Sequence, residues 1–342
     1  MKTIKILLGL SFVMLCCSCA SPKEKEPIDQ IEEPVIKEES VQSSITLSFV
    51  GDMTLGNYAG QTMDGSFDAE YQAQSKNSDY FLKNVKSIFD KDDLTVANLE
   101  GPLTNATSHA EKQFAFKGKP EYVNILKNGG VDIVTLANNH SQDYFTTGMN
   151  DTKATLDKNN IDYFGLGKVT KVEVKDKTFG FLSYSFASNY SFPDTLRQQV
   201  ETDVKALKKD VDIVVVYYHW GIERETSPLK TQRTLGQQTI DYGADLVIGS
   251  HPHVLQGIET YKGKKIVYSL SNFCFGGNKN PGDKDSMIYQ YTFHFDGDTL
   301  TSTSDKIIPV LISSSTTRNN YQPTLASGKD KERILKKVNE VK

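Results

Sequence analysis

Cysteine is scarce in this sequence of 342 residues, and most of it lies near one end. Cys16, Cys17 and Cys19 fall in the N-terminal segment, which leaves Cys274 alone in the remainder of the chain. No internal disulfide can therefore staple the mature domain, so its stability must come from a hydrophobic core. Cys274 lies between two phenylalanines and is predicted to be a small buried side chain.

An excess of positive charge is also missing. The chain has 39 lysines and arginines against 43 aspartates and glutamates, which gives a formal net charge of -4. Proteins that bind nucleic acids concentrate lysine and arginine to neutralise phosphates. We therefore expect no nucleic-acid partner, and a polyanionic ligand would need a local cationic patch.

The apolar stretch at residues 6–15 is too short to span a membrane as a mature helix. It follows Lys2 and Lys5, and a basic segment before a short apolar one is typical of an export signal. The next residues resemble a bacterial lipobox, which implies lipidation at Cys19, with Cys16 or Cys17 as alternatives. A plain cleaved secretion signal is the remaining alternative. We predict a lipoprotein signal peptide at 1–19 and a lipid-anchored protein on the extracytoplasmic face of the cell membrane.

After the signal, acidic residues outnumber lysines and aromatic side chains are nearly absent, so residues 20–43 are predicted to form an acidic disordered tether. Residues 44–325 contain no linker rich in glycine, proline or serine, and we see no internal repeat. We interpret them as one domain, followed by a charged C-terminal helix at 326–342.

Apolar periodicity predicts alternating strands and helices from residue 44 to residue 250. Antiparallel strands are predicted between residues 254 and 311. This order favours a parallel-rich α/β core extended into a sandwich of mixed sheets. The predicted helices within the domain are 81–89, 120–127, 147–158, 200–209 and 229–242.

Polar residues follow five of the predicted strands, and all are possible metal ligands or proton donors. They are Asp52, Glu100, Asn139 with His140, His219, and His251 with His253. Ligands collect outside the carboxyl ends of the strands in α/β sheets, and carboxylate, amide and imidazole groups suit divalent metals. Each residue alone could be a cap, a turn or a packed core side chain. Together they predict a metal centre.

Six ordered motifs resemble the CapA family, which is tied to poly-γ-glutamate capsule synthesis and resembles the calcineurin-like metallophosphoesterases. They are residues 51–56, 98–104, 136–144, 219–223, 249–253 (Gly-Ser-His-Pro-His) and 268–273. The resemblance covers about residues 45–275. It implies a four-layer α/β/β/α sandwich of metallophosphoesterase type with mixed sheets.

The resemblance also implies roles for individual residues and a cofactor of one or two divalent ions, with Mn, Fe or Zn favoured. Asp52 and His253 would hold the first metal, Glu100 would bridge, and Asn139, His219 and His251 would hold the second. His140 would protonate a leaving group. Asn138 and Glu223 would support the ligands, with a surface ion pair as the alternative for Glu223. Two departures weaken the first metal site, because Thr54 replaces a histidine and Glu100 replaces an aspartate.

The sequence therefore predicts that the protein acts in the synthesis, export or attachment of an anionic capsule polymer, with poly-γ-glutamate favoured. It would work beside membrane-embedded capsule synthesis proteins, and as a metal-dependent hydrolase it would act on a phosphorylated or acyl substrate. The alternative is a non-catalytic polymer-binding or scaffold subunit that keeps the fold. Lys117 and Arg224 are predicted to bind the substrate, and an ordinary solvated loop face is the alternative.

Overall fold

The computed structural model describes residues 42–186 and 192–339. The predicted signal peptide, Cys16, Cys17, Cys19 and nearly all of the predicted tether lie outside the described residues. The first strand begins at Gln42, two residues before the predicted start of the domain. Within the described ranges, no helix is long and apolar enough to cross a membrane.

The described residues build two mixed β-sheets. In lateral order, the first sheet contains β16 (Thr324–Leu325), β15 (Thr299–Leu311), β14 (Asp285–Asp296), β1 (Gln42–Thr54), β3 (Leu94–Leu99), β5 (Ile133–Thr135) and β6 (Asp162–Phe164), and β13 (Asn272–Phe275) also pairs with β1. The second sheet contains β11 (Leu255–Tyr261), β12 (Lys264–Leu270), β10 (Leu246–Ser250), β9 (Ile213–Trp220), β8 (Lys177–Phe186) and β7 (Thr170–Val174). A separate two-stranded ribbon joins β2 (Asn57–Tyr58) to β4 (Phe116–Lys117).

Among the described residues, seven helices cover the outer faces of the sheets, and an eighth, the last one, packs against the inter-sheet core. They are α1 (Phe67–Ala73), α2 (Asp79–Leu82), α3 (Lys86–Phe89), α4 (Val123–Gly129), α5 (Phe145–Lys158), α6 (Asp194–Leu207), α7 (Lys230–Asp241) and α8 (Gly328–Asn339), with a short 3₁₀ turn at Pro120–Tyr122.

Adjacent residues of the central strands point into different layers. Phe49 of β1 packs between the sheets, whereas Val50 packs under the helices of the first sheet. Val215 and Val214 of β9 divide in the same way between the inter-sheet core and the layer under α6 and α7. The predicted α/β/β/α sandwich of mixed sheets is therefore confirmed, and burial of such side chains stabilises it by about 1.5–3 kcal/mol each.

Parallel pairing aligns the carboxyl ends of the strands that matter for the site. Asp52 of β1 lies beside Asn98 of β3, and His219 of β9 lies beside Ser250 of β10. Because parallel neighbours end at the same edge, polar residues that follow separate strands in the sequence become neighbours in space.

Helices α5 and α7 match their predicted bounds within two residues, whereas α6 begins at Asp194, six residues before its predicted start, and the first turn of the helix predicted at 120–127 is the 3₁₀ turn. A single helix at 81–89 was wrong, since α2 and α3 are separated by a break that leaves Val85 at φ −120°. Helix α1 was not predicted, although Ser66 caps it by accepting a hydrogen bond from the Ala69 amide. Helix α4 is closed by Gly130, which adopts a left-handed conformation at φ 85°.

Two features of the C-terminal half complete the core. Cys274 is fully buried in β13, as predicted. Helix α8 is charged on one face, and it buries Ile334 and Val338 against the inter-sheet core with its other face.

Candidate metal centre

The predicted ligands come together at one edge of the sandwich. Asp52 lies two residues before the end of β1, Glu100 follows β3 and Asn139 follows β5 in the first sheet, whereas His219 in β9 and His251 after β10 belong to the second. Ligand atoms of Asp52, Glu100 and His219 all lie within 4.8 Å of one another, and the three residues are buried.

His219 lies at the centre of the cluster with no exposed surface. Its Nε2 atom is 2.7 Å from Asn139 Oδ1 and 3.1 Å from His251 Nδ1, while its Nδ1 atom is 3.1 Å from Ser250 Oγ. Burial, helped by the neighbouring His251, lowers the pKa of His219 well below its ordinary value. The imidazole is therefore neutral at neutral pH, which is the form that binds metals.

The two histidines of the His-Pro-His segment face different partners. His251 and His253 both have left-handed backbones, with φ of 99° and 57°, and this turn lets their side chains diverge. His251 faces His219, and burial followed by the charge of His253 lowers the pKa of His251 to about 4. His253 Nδ1 instead lies 3.3 Å from Asp52 Oδ2 and 2.8 Å from Asn272 Oδ1.

His253 is electrostatically unlike the other two. Burial alone would lower its pKa, but the carboxylates of Glu100 and Asp52 raise it to about 10. Burial would likewise raise the pKa of Asp52, yet the hydrogen bond from His253 and the charge of His219 hold it below its usual range. Without a metal, Asp52 and His253 thus form an ion pair, and a cation bound there must displace a proton.

Glu100 carries the clearest sign of a missing partner. Among the described residues its Oε1 atom is buried without a hydrogen-bond partner, 3.7 Å from His219 Nε2 and 4.0 Å from His140 Nε2. Burial, together with the nearby Asp52 carboxylate, raises the pKa of Glu100 to about 7. A buried carboxylate oxygen that faces imidazole nitrogens forms, together with them, a donor set of the kind that binds divalent cations.

Three residues that the sequence did not assign support this cluster. Thr54 donates to Glu100 Oε2 at 3.1 Å, so this threonine orients the Glu100 carboxylate. Asn98 Nδ2 donates to Asp52 Oδ1 at 2.7 Å, and Ser250 contacts His219. The signal for Asn98 was its position two residues before Glu100, but a polar residue inside a buried strand has many structural uses.

His140, the predicted proton donor, is held at the rim of the cluster. Its Nδ1 atom is 2.7 Å from Asp143 Oδ2, and its Nε2 atom is the one that faces Glu100. Asp143 also accepts the Phe116 amide at 2.6 Å and pairs with Lys112. The Phe116 ring packs on His140 with centroids 4.4 Å apart.

The remaining predicted site residues lie in different places. Asn138 links the loop after β5 to strand β3, because its Nδ2 donates to Asn98 Oδ1 at 3.0 Å and its Oδ1 accepts the His140 amide. Glu223 is exposed and is not brought to His219, whose nitrogens contact Ser250 and Asn139. The carboxylate of Glu223 instead raises the pKa of His253, after the larger effects of Glu100 and Asp52.

Lys117 and Arg224 lie on different elements of the structure. Lys117 lies in the β2–β4 ribbon, with its Nζ 2.5 Å from the Ala106 carbonyl oxygen. Arg224 is exposed on the loop after β9, and its amide donates to the Pro252 carbonyl at 2.8 Å. Of the two, Arg224 is tied by its backbone to the His-Pro-His segment.

Fold and cluster together define a four-layer sandwich protein with a buried carboxylate, imidazole and amide centre suited to divalent cations. The chain belongs to the bacterial capsule synthesis protein family PGA_cap, whose model matches residues 46–277. It is 33% identical to the PGA biosynthesis protein CapA of Bacillus subtilis over 76% of this chain and 70% of that protein. It is 28% identical to the capsule biosynthesis protein CapA of Bacillus anthracis, over 86% of this chain and 72% of that protein.

Solved structures with a similar fold include a novel phosphatase from Mycoplasma pneumoniae, at a TM-score of 0.45 and 17% identity over 79% of this chain and 95% of that one. A hypothetical protein from Thermus thermophilus aligns at a TM-score of 0.47 and 16% identity, over 78% of this chain and 99% of that one. Scores this low say nothing about the chemistry of the present site.

Proposed function

We propose that this protein acts in the synthesis, export or attachment of an anionic capsule polymer, poly-γ-glutamate, as a metal-dependent hydrolase. Membership of the capsule synthesis family supports the process, and the name of the Bacillus subtilis relative supports the polymer. The observation that carries the chemistry is the partnerless Oε1 atom of Glu100 inside a buried group of imidazoles.

Asn139, His219 and His251 would hold one cation, Asp52 and His253 the other, and Glu100 would lie between them. Mn, Fe or Zn suits this mixture of oxygen and nitrogen donors, and such an ion supplies Lewis acidity at a phosphoryl or acyl centre. His140 faces the cluster through Nε2 while Asp143 holds its Nδ1, so a proton on Nε2 can pass to a leaving oxygen.

Metal content and hydrolysis test this function together. Purified wild-type protein is expected to contain a transition metal by elemental analysis and to turn over generic phosphomonoesters or phosphodiesters. His219→Ala and Asn139→Ala should lose most of the metal and lower kcat by at least ~100-fold, because each removes a ligand. His294→Ala is the matched control, since this histidine lies on β14 and contacts Ser304.

Turnover that persists in His219→Ala would place the chemistry elsewhere. Absence of both metal and turnover in the wild type would leave the second candidate, a polymer-binding or scaffold subunit. One observation favours that candidate: Thr54 binds Glu100 where a further imidazole would complete the first metal site. A subunit of this kind would bind the polymer without hydrolysing it.

The same proposal places the protein on the extracytoplasmic face of the cell membrane, anchored through a lipid on Cys19 and next to membrane-embedded capsule synthesis proteins. The support is the charged and apolar N-terminal sequence with its lipobox resemblance. Incorporation of a labelled fatty acid should be lost in Cys19→Ala and kept in Cys17→Ala. Label that survives Cys19→Ala would move the anchor to another cysteine, and absence of label in the wild type would exclude a lipid anchor.

A further inference from the structure

A pocket of about 340 Å³ lies on the loops that surround the metal centre. It is lined by Asn57, Tyr58, Thr104, Lys117, Lys119 and Tyr144, among others. We propose that this pocket is a subsite for the pendant carboxylates of an anionic polymer, with Lys117 as its main contact. This inference rests on the proposed function and adds to it the position at which the polymer is bound.

Lys117 is a half-buried cation without a carboxylate partner. Its ammonium group donates to the Ala106 carbonyl oxygen at 2.5 Å and lies 4.8 Å from the centre of the Tyr144 ring. None of the ion pairs found within the described ranges includes Lys117. An ammonium has three donors, so this arrangement leaves donors for an anion in the pocket. A partly desolvated charge of this kind is stabilised by a counter-ion.

Lys119 adds a second, partly neutralised cation to the same pocket. Its Nζ atom is 3.5 Å from Asp68 Oδ2, while the other oxygen of Asp68 accepts the Tyr122 hydroxyl. Two lysines against one aspartate leave the pocket positively charged. Because acidic and basic residues nearly balance over the folded body, a polyanion depends on such local excesses.

The pocket and the metal centre share the β2–β4 ribbon. Successive side chains of a strand point to opposite faces, so Phe116 packs on His140 while Lys117 lines the pocket. On the opposite wall, Tyr144 follows Asp143, the residue that contacts His140. A polymer with regularly repeated carboxylates can therefore be held in the pocket by one unit while a neighbouring part of the chain reaches the centre.

Binding of γ-linked polyglutamate to the full chain tests the subsite. Lys117→Met keeps the length of the side chain and removes its charge, and the affinity should fall roughly tenfold, as expected for one charge-assisted contact. Lys127→Met on α4 makes the same change of net charge on an exposed residue, and its affinity should stay within about twofold of the wild type. Polyglutamine of equal length should not bind to the wild type or to either lysine variant.

The outcomes separate the subsite from the proposed function. Equal affinities of Lys117→Met and wild type, with matching thermal unfolding midpoints, would overturn the subsite. An equal loss in Lys127→Met would also overturn it, because net charge would then explain the binding. Absence of polyglutamate binding by the wild type would instead overturn the choice of polymer.

Discussion

Asn98 links strand β3 to Asp52 in β1 and to Asn138 in the loop after β5. It donates to Asp52 Oδ1 at 2.7 Å, accepts from Asn138 Nδ2 at 3.0 Å and lies 3.3 Å from His219 Nδ1. Asn138 in turn holds the backbone of His140. The predicted ligand Asp52 and the predicted proton donor His140 thus belong, together with Asn98 and Asn138, to one buried hydrogen-bond network, whose members act together.

Replacement of Asn98 by alanine is expected to weaken both metal binding and folding. Metal affinity should fall about 10- to 100-fold, as it does when a residue that orients a ligand is removed. The free energy of unfolding should drop by roughly 1–3 kcal/mol, because Asp52 and Asn138 each lose a buried partner. Metal titration and urea unfolding measure the two effects.

Asn84→Ala is the control for this substitution, because Asn84 also donates through Nδ2, to Gln322 at 3.0 Å, away from the centre. It should leave metal affinity unchanged. Equal metal affinity in Asn98→Ala and wild type would mean that Asp52 is oriented without Asn98.

At this scale, the sequence could locate residues with distinctive chemistry but not their contacts. Histidines are few here, so His219, His251 and His253 stood out, and the structure brings all three together. Asn98, Thr54 and Ser250 carry ordinary polar groups, and only the pairing of β1 with β3 and of β9 with β10 reveals what they touch. Glu223 was predicted from its position four residues after His219, but its side chain is exposed in the loop after β9.

Among the elements, the ends of β1 and β12 meet in an unusually close contact beside the centre. A side chain on Gly51 would place its Cβ 1.8 Å from the Ser271 carbonyl oxygen, which itself accepts the Asp52 amide at 3.0 Å. Ser271 has a left-handed backbone at φ 66°, a conformation that glycine adopts without strain. The backbone around Asp52 is therefore fixed by a close contact that is possible only because residue 51 is a glycine.

Gly51→Ala is expected to destabilise the fold by roughly 1–3 kcal/mol, because two strands must separate to admit one methyl group. The same separation should displace Asp52 and reduce metal content. Urea unfolding and elemental analysis measure both. Gly282→Ala is the matched control, since an added Cβ there meets nothing within 4 Å. If Gly51→Ala were as stable as that control, the close contact would not hold the end of β1.

The elements also show where periodicity stops being informative. Phe81, Leu82, Val85 and Phe89 are all buried at spacings that suit one helix, yet the chain forms two short ones. Apolar spacing reports which side chains face the core, and it is nearly the same for one helix and for two that share a face. Strand β13 was missed for a related reason, because four residues are too few to show a period.

On the scale of the whole molecule, the candidate centre lies where the two sheets meet. Asp52, Glu100 and Asn139 come from the first sheet, and His219, His251 and His253 come from the second. A cation held by both sets would link the sheets directly. The family resemblance implied the sandwich and this ligand set, whereas the charge composition alone indicated only that no nucleic-acid partner is expected.

Metal removal should therefore lower the stability of the whole fold. A ligand that binds only the folded state at 100 times its Kd stabilises it by about 2.7 kcal/mol, which corresponds to a rise in Tm of roughly 5 °C for a domain of this size. Thermal unfolding of the wild type with added Mn²⁺ or Zn²⁺ should show this rise over the same protein with a chelator. In His219→Ala the difference should vanish, because the ion loses the imidazole at the centre of its ligand set, whereas His294→Ala should keep it. An identical Tm with metal and with chelator in the wild type would show that the carboxylate and histidine cluster folds without a cation and that its role is structural.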